Sequence, residues 1–187
     1  AISSALGKPD AKIIRAMPNT PALVGAGMTG VFASPCVPHD AYEAVQSILG
    51  SIGEVAPLES EDHLHAVTGL SGSGPAYLFL AAEAMIQAGV QQGLAESLAR
   101  KLAIQTIYGA GAQALASDTL PSILRKRVTS PGGTTERGVN ALEQNNFRQS
   151  LHEAIADASA RTREIEAEVD AAAEKKCEAE CAGVNTR

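Results

Sequence analysis

Residues 12–17, KIIRAM, form a short apolar run that stops at Pro18, which has the length and composition of a buried strand. The turn Met17 to Pro21, MPNTP, follows at once. A second strand is predicted over 28–33, a helix from Asp40 to Leu49, and a third strand from Ile52 to Leu58 with a proline near its end. Residues 1–58 therefore read as α/β. Beyond Glu59 the period changes. From Pro75, placed where prolines start helices, Tyr77, Ala81, Ala84, Met85 and Ala88 recur at three- and four-residue spacing and give one apolar face, which Gly89 and Gly93 weaken and end. Ala95 to Ala116 repeats the pattern with Leu98, Leu102 and Ile107 among small residues. A short helix at Pro121 to Arg127, a glycine-rich loop, a helix from Thr135 to Gln144 and a last helix from Phe147 onward make the rest all-helical. The final stretch, AAAEKKCEAECAGVNTR, lacks a comparable stripe and is expected to be a solvated, fraying tail.

Composition refines this picture in one respect. At 45% hydrophobic and 19% charged the chain is ordinary for a globular protein, but 3% aromatic with no Trp requires a core of small side chains, and closely packed Ala and Gly helices supply one. A net charge of −6 opposes phosphate backbones, and no basic cluster is interleaved with aromatics, so nucleic acid is a poor partner. The longest apolar run, Leu78 to Ile86, is too short to span a bilayer and is broken by Glu83, so no membrane span is expected. Three cysteines, Cys36, Cys177 and Cys181, form no spaced framework and suit a reducing compartment, the cytoplasm or an organelle interior. The chain starts Ala1-Ile2-Ser3 without an initiator Met and reads as beginning mid-protein.

Residues 25–30, GAGMTG, match the G-x-G-x-x-G dinucleotide fingerprint literally, but that fingerprint works only between a strand and the helix that receives the pyrophosphate. Here a strand-like VFA and then Pro35 follow, so the glycines read as structural. The segment Val128 to Gly138, VTSPGGTTERG, has more content. Pro131 and two glycines end one element, Thr134 or Thr135 is placed to cap the next helix, and Glu136 falls in its first turn. The amides of Gly132, Gly133, Thr134 and Thr135, with the hydroxyls of Ser130 and Thr135, are able to surround a carboxylate or phosphate at the helix's positive end. A tight turn with a helix cap accounts for the same residues, and composition does not choose. MPNTP alone is a proline turn at a strand end, and SGSGPAY, residues 71–77, is able to cap the helix that begins at Pro75. Glu61, Asp62, His63 and His65, on a predicted loop, lack a third well-placed ligand, so no metal is expected. Cys177 and Cys181, one helical turn apart, read as free thiols.

Pro121, Leu124, Val128, Thr129, Ser130, Gly132, Gly133, Thr135, Gly138, Val139, Leu142 and Glu143, in that order and spacing, resemble the signature of the pyrroline-5-carboxylate reductases. AVTGLSGSGPAY (66–77) and FRQSLHEAIADASARTRE are similar to further segments of that family, so the resemblance covers about residues 10–165. It implies a chain lacking most of the nucleotide-binding half: an α/β remnant of a Rossmann domain (1–58), an all-α helical substrate-binding and dimerisation domain (59–166) and a tail (167–187). The implied reaction moves a hydride from NADPH or NADH to the imine carbon of 1-pyrroline-5-carboxylate and yields L-proline. By resemblance Ser130, Gly132, Gly133, Thr134 and Thr135 hold the substrate carboxylate. The Thr135 hydroxyl then contacts the ring nitrogen as a hydrogen-bonding relay to an already protonated iminium, threonine being too weak an acid to act alone.

Met17, Pro18, Asn19 and Thr20 would line the nicotinamide end of the cofactor site, and SGSGPAY, with Ser71 and Ser73, its substrate end. Asp118 stands where the family often has a longer carboxylate, and it equally suits an N-cap for the helix at Pro121. Lys126-Arg127 stands where many members carry an acidic residue. The small-residue helices over 75–116 suit the interleaved dimers of that family, so a homodimer or higher oligomer is expected. Two rivals remain. A dehydrogenase of 3-hydroxy acids needs a catalytic Lys–Asn pair on its long helix, and residues 75–95 contain no lysine. A non-catalytic dimerisation module gains weight because the true fingerprint and the ribose-reading residue are absent, so this chain alone is expected to be inactive.

Overall fold

The computed structural model describes residues 2–8 and 10–184, and the side chains of all of these except 4, 5 and 174–184. Cys177 and Cys181 therefore lie outside the described side chains. The element order is α1 (Ile2–Ala5), β1 (Ile14–Met17), a 3₁₀ turn (Thr20–Val24), β2 (Gly27–Ala33), α2 (His39–Gly50), β3 (Gly53–Pro57), α3 (His63–Val67), a π-helical turn (Thr68–Gly72), α4 (Gly74–Gln91), α5 (Glu96–Leu115), α6 (Pro121–Arg127), α7 (Thr134–Gln144) and α8 (Phe147–Val184). Small-strand α/β structure thus gives way to helices alone, as the change of period beyond Glu59 requires. The residues after 166, expected to fray, continue α8 as far as Val184, because their Ala, Glu and Lys are strong helix formers and no Gly or Pro interrupts them before Gly183.

The chain divides into two compact units, residues 1–75 with 153–187, and residues 76–152. In the first unit the sheet runs β1-β2-β3, with β1 antiparallel and β3 parallel to β2. The middle strand is the core. Val31 and Thr29 are completely buried, and Gly27 and Gly30 are buried with them, so β2 is covered on both faces like a strand of a layered α/β fold. A Cβ on Gly30 would stand 2.8 Å from Val67 Cγ1. Glycine there lets α3 lie directly on the sheet.

In the second unit only Ala82, Ala99 and Ala103 are buried among the apolar side chains. Gly89 meets Ala99, whose Cβ would lie 3.1 Å from a Cβ placed on the glycine. Contact through small residues is what an Ala-rich, aromatic-poor chain allows. Large apolar side chains stay outside: Leu78, Phe79 and Leu80 on α4 are 56%, 61% and 67% exposed, and Leu98, Leu102 and Tyr108 on α5 are also exposed.

Candidate functional site

Each unit carries one part of the expected site. In the first, β1 ends at Met17, Pro18 stops the ladder, and the chain turns through Asn19 into the 3₁₀ turn that Pro21 starts and Gly25 closes in the left-handed region (φ 72°). Asn19 does more than turn the chain. Its Oδ1 accepts the Met28 N–H at 2.9 Å, and its Nδ2 donates to the Ser71 carbonyl at 3.1 Å. A backbone N–H on one side and a carbonyl on the other fix the amide's orientation unambiguously. Met17 leaves the same strand end toward the π-helical turn, where its Cε lies 2.6 Å from a Cβ built on Gly72. Met17, Asn19, Ser71 and Gly72 are therefore brought together, while Pro18 and Thr20 are exposed at the edge.

The π-helical turn is closed by the Ser73 N–H donating to the Thr68 carbonyl at 2.8 Å, a five-residue step. Such insertions recur at functional sites because they re-aim the backbone. Ser71 was expected to be able to cap the next helix; its hydroxyl instead donates back to the Val67 carbonyl at 3.2 Å. Gly69 packs so tightly against Ser159 and the Ile155 carbonyl of α8 that a side chain there would collide. The glycines of GAGMTG run from the 3₁₀ turn into β2, so the segment is a turn and a strand, with no helix to receive a pyrophosphate.

A charged network that the sequence reading missed lies in the same unit. Arg15 Nη1 donates to Glu61 and to Glu166, each at 2.8 Å. These partners hold its pKa above the ordinary arginine value, the Glu61 hydrogen bond contributing most, against the opposing effect of burial. Glu166 Oε2 lies 3.0 Å from His65 Nε2. His63 and His65, expected on a loop, are in α3, and His65 is buried, with its Nδ1 lacking a hydrogen-bond partner among the described residues. The helix forms there because Asp62 and His63 lead directly into an apolar, strand-covering segment. Among the described residues no group of three His, Cys, Asp or Glu side chains is arranged to hold a metal ion.

In the second unit, α6 ends at Val128, and the Thr129 hydroxyl donates to the Arg125 carbonyl at 2.7 Å. The chain then passes through Ser130 and Pro131 to Gly132, at φ 72°, a conformation that side chains resist. The Gly133 N–H donates to the Ser130 carbonyl at 3.0 Å, and α7 begins at Thr134 with Gly133 as its N-cap. Here the expectation for Thr134 and Thr135 is corrected. The helix starts one residue earlier than the sequence suggested, so both threonines are helical and neither hydroxyl caps. Both are exposed, and among the described residues no acceptor meets their amides. Glu136 folds back and accepts the Gly132 N–H at 2.7 Å. Unshared amides at a helix N-terminus, followed by two hydroxyls, suit an anion.

Asp118 is exposed and does not cap α6, whose N-cap is Leu120; the cap role fails because Leu120 and Pro121 already occupy the helix start. Basic Arg125, Lys126 and Arg127 complete the last turn of α6, the end that favours positive charge. Glu143, on α7, is paired with Arg148 at 2.8 Å, which holds its carboxyl below the ordinary range.

A small α/β sheet followed in sequence by helices alone defines the class: strands of Rossmann type joined to an all-α helical domain. Residues 61–165 match the family model for pyrroline-5-carboxylate reductase dimerisation. The chain is 45% identical over 159 residues to the pyrroline-5-carboxylate reductase of Synechocystis, covering 85% of this chain and 59% of that protein. The solved pyrroline-5-carboxylate reductase of Coxiella burnetii superposes with a TM-score of 0.83 at 43% identity, over 87% of this chain and 60% of that one. The Plasmodium falciparum pyrroline carboxylate reductase, crystallised with NADP bound, gives 0.76 at 34%, over 82% of this chain and 58% of that one. The chain belongs to the pyrroline-5-carboxylate reductase family, and spans about three-fifths of the length of these relatives.

Proposed function

We propose that this chain supplies the substrate-holding part of a reductase that converts 1-pyrroline-5-carboxylate to L-proline with NADPH or NADH. The observation that carries the reading is the turn at 130–135, where Gly132 is left-handed and the Thr134 and Thr135 amides open a helix with no acceptor of their own. Ser130, Gly132, Gly133, Thr134 and Thr135 hold the carboxylate, which fixes the ring so that its imine carbon faces the hydride donor. When bound, the reduced nicotinamide supplies the hydride. The Thr135 hydroxyl oxygen accepts a hydrogen bond from the N–H of the already protonated iminium, which hydride addition converts to the amine, and Asp118 adds a carboxylate near the substrate. Pro18 and Thr20, exposed at the end of β1 beside Met17 and Asn19, offer the open strand end at which α/β sheets take dinucleotides.

A homodimer or larger assembly is part of this reading, because the exposed apolar side chains of α4 and α5 need a cover. Among the described residues no helix is long and apolar enough to cross a membrane. Free, exposed Cys36 suits a reducing compartment, the cytoplasm or an organelle interior. Oxidation of NADPH by pyrroline-5-carboxylate tests the proposal, using this chain and a version extended by a dinucleotide-binding half. Activity in the extended protein supports it, and Thr135→Ala should then lower kcat by ~10²-fold. A folded protein inactive in both forms would leave a non-catalytic dimerisation module as the better reading.

A further inference from the structure

We propose that Glu136 is the positioning residue of the 130–135 turn: it presets the turn for a carboxylate by holding Gly132, without touching the ligand itself. The inference rests on the reading above, in which this turn receives the substrate's carboxylate. In the usual capping box the third helical residue reaches back to the amide of the N-cap. Glu136 is the third residue of α7, yet its carboxylate reaches one residue further, past Gly133 to the Gly132 N–H at 2.7 Å. Gly132 needs that hold. It sits at φ 72°, has no side chain, and nothing lies within 4 Å of where a Cβ would stand.

Together with the Gly133 N–H bonded to the Ser130 carbonyl at 3.0 Å, the Glu136 bond ties both glycines, so the amides that follow at Thr134 and Thr135 remain outward and unshared. Without it, a glycine pair free to sample many conformations would have to be ordered when the ligand binds, and affinity would fall accordingly. A second effect opposes this one. The carboxylate brings negative charge to the place where an anion is to bind, and charge alone would make Glu136 a hindrance. Glutamine separates the two effects, because its side-chain oxygen still accepts the Gly132 N–H while the charge is gone.

The experiment is an NMR titration of the 187-residue chain with L-proline, following the Gly132, Thr134 and Thr135 amides in wild type, Glu136→Ala and Glu136→Gln, with far-UV circular dichroism to check folding. Glu136→Ala should bind ~5-fold more weakly than Glu136→Gln, the scale of one neutral hydrogen bond worth about 1 kcal/mol net. Glu136→Gln should bind at least as tightly as wild type. Alanine binding as tightly as glutamine would overturn the inference, since the two variants share their charge and differ only in the hold on Gly132. If L-proline shifts none of these amides in any of the three proteins, the carboxylate reading fails, and this inference with it.

Discussion

Replacing Asn19 separates two jobs that its position allows, bracing the protein and touching a cofactor. Its side chain makes two part-buried hydrogen bonds, from Met28 N–H at 2.9 Å and to the Ser71 carbonyl at 3.1 Å. Each is worth about 1 kcal/mol net, and Asn19→Ala leaves both backbone groups short of a partner, so the local cost should be ~2 kcal/mol. That corresponds to ~30-fold faster exchange of the Met28 amide proton if it exchanges by local opening. Asn19→Asp makes a sharper comparison. An aspartate oxygen still accepts the Met28 N–H, but it has no proton for the Ser71 carbonyl and repels it. Met28 should therefore stay protected in Asn19→Asp, while the Ser73 amide, which closes the π-helical turn on Thr68, exchanges faster. Native-state hydrogen exchange by NMR reads both amides without any cofactor present. If Met28 in Asn19→Ala exchanges within about twofold of wild type, well below the loss expected for two hydrogen bonds, the bracing argument is wrong and direct cofactor contact becomes the better account of Asn19.

Two glycines that look alike in the sequence should respond differently. Gly69→Ala drives a methyl against the Ile155 carbonyl and Ser159 and should cost about 1–3 kcal/mol in thermal or urea unfolding, whereas Gly72→Ala crowds chiefly Met17 Cε, the far end of an unbranched side chain, and should cost less while shifting the Met17 methyl resonance. Glu143 has a folded pKa below its ordinary value because of Arg148, so the pair's stabilisation is present above the ordinary carboxylate range and is lost as pH falls through that lowered pKa. The Arg148 Nε–H resonance should follow that titration, and Glu143→Gln should flatten it. Glu166→Gln should loosen α8 from Arg15 and His65 together, visible as faster exchange around Ile165 and greater sensitivity of the remaining contacts to salt. Phe79→Asp should shift the chain toward monomer in light scattering, and an unchanged mass would count against a role for α4 in assembly.

Local signals carried well where one segment decides its own structure. The apolar run before Pro18, the strand over 28–33, and the helices from Pro75, Ala95, Pro121 and Phe147 formed where their patterns put them, to within a residue or two. The signature from Pro121 to Glu143 led to the family because it is a local string. What the sequence hid depends on distant partners or on one-residue offsets. Arg15 and Glu166 are 151 positions apart, and nothing near either residue announces that they meet across His65. The helix α7 starts one residue early, at Thr134 with Gly133 as N-cap, so the threonines that suited a cap are helical, while the Glu136 side chain reaches back to the Gly132 N–H ahead of the cap. Asn19 looked like a polar group awaiting a ligand, and only its two backbone partners reveal the brace.

The exposed apolar side chains of α4 bear on how any cover must be arranged. Leu78, Phe79 and Leu80 are consecutive, and at 3.6 residues per turn three consecutive positions sweep roughly 200° of the helix surface. A single flat neighbour covers about one stripe, near 100° wide. One helix laid alongside α4 would therefore leave at least one of the three in water, whichever face it chose. Glu83, Gln87 and Gln91 keep one stripe of α4 polar, but the apolar surface beside it is wider than one neighbour covers, and such a surface is stable when largely enclosed. On α5, Leu98, Leu102, Ile104 and Tyr108 are exposed in turn, while the residues already buried are the alanines Ala99 and Ala103. The small side chains thus serve contact within the unit, and the large ones are left for something outside it. An enclosing partner, with helices passing on more than one side of α4, meets that geometry, and the interleaved assembly that the family resemblance led one to expect is an arrangement of that kind.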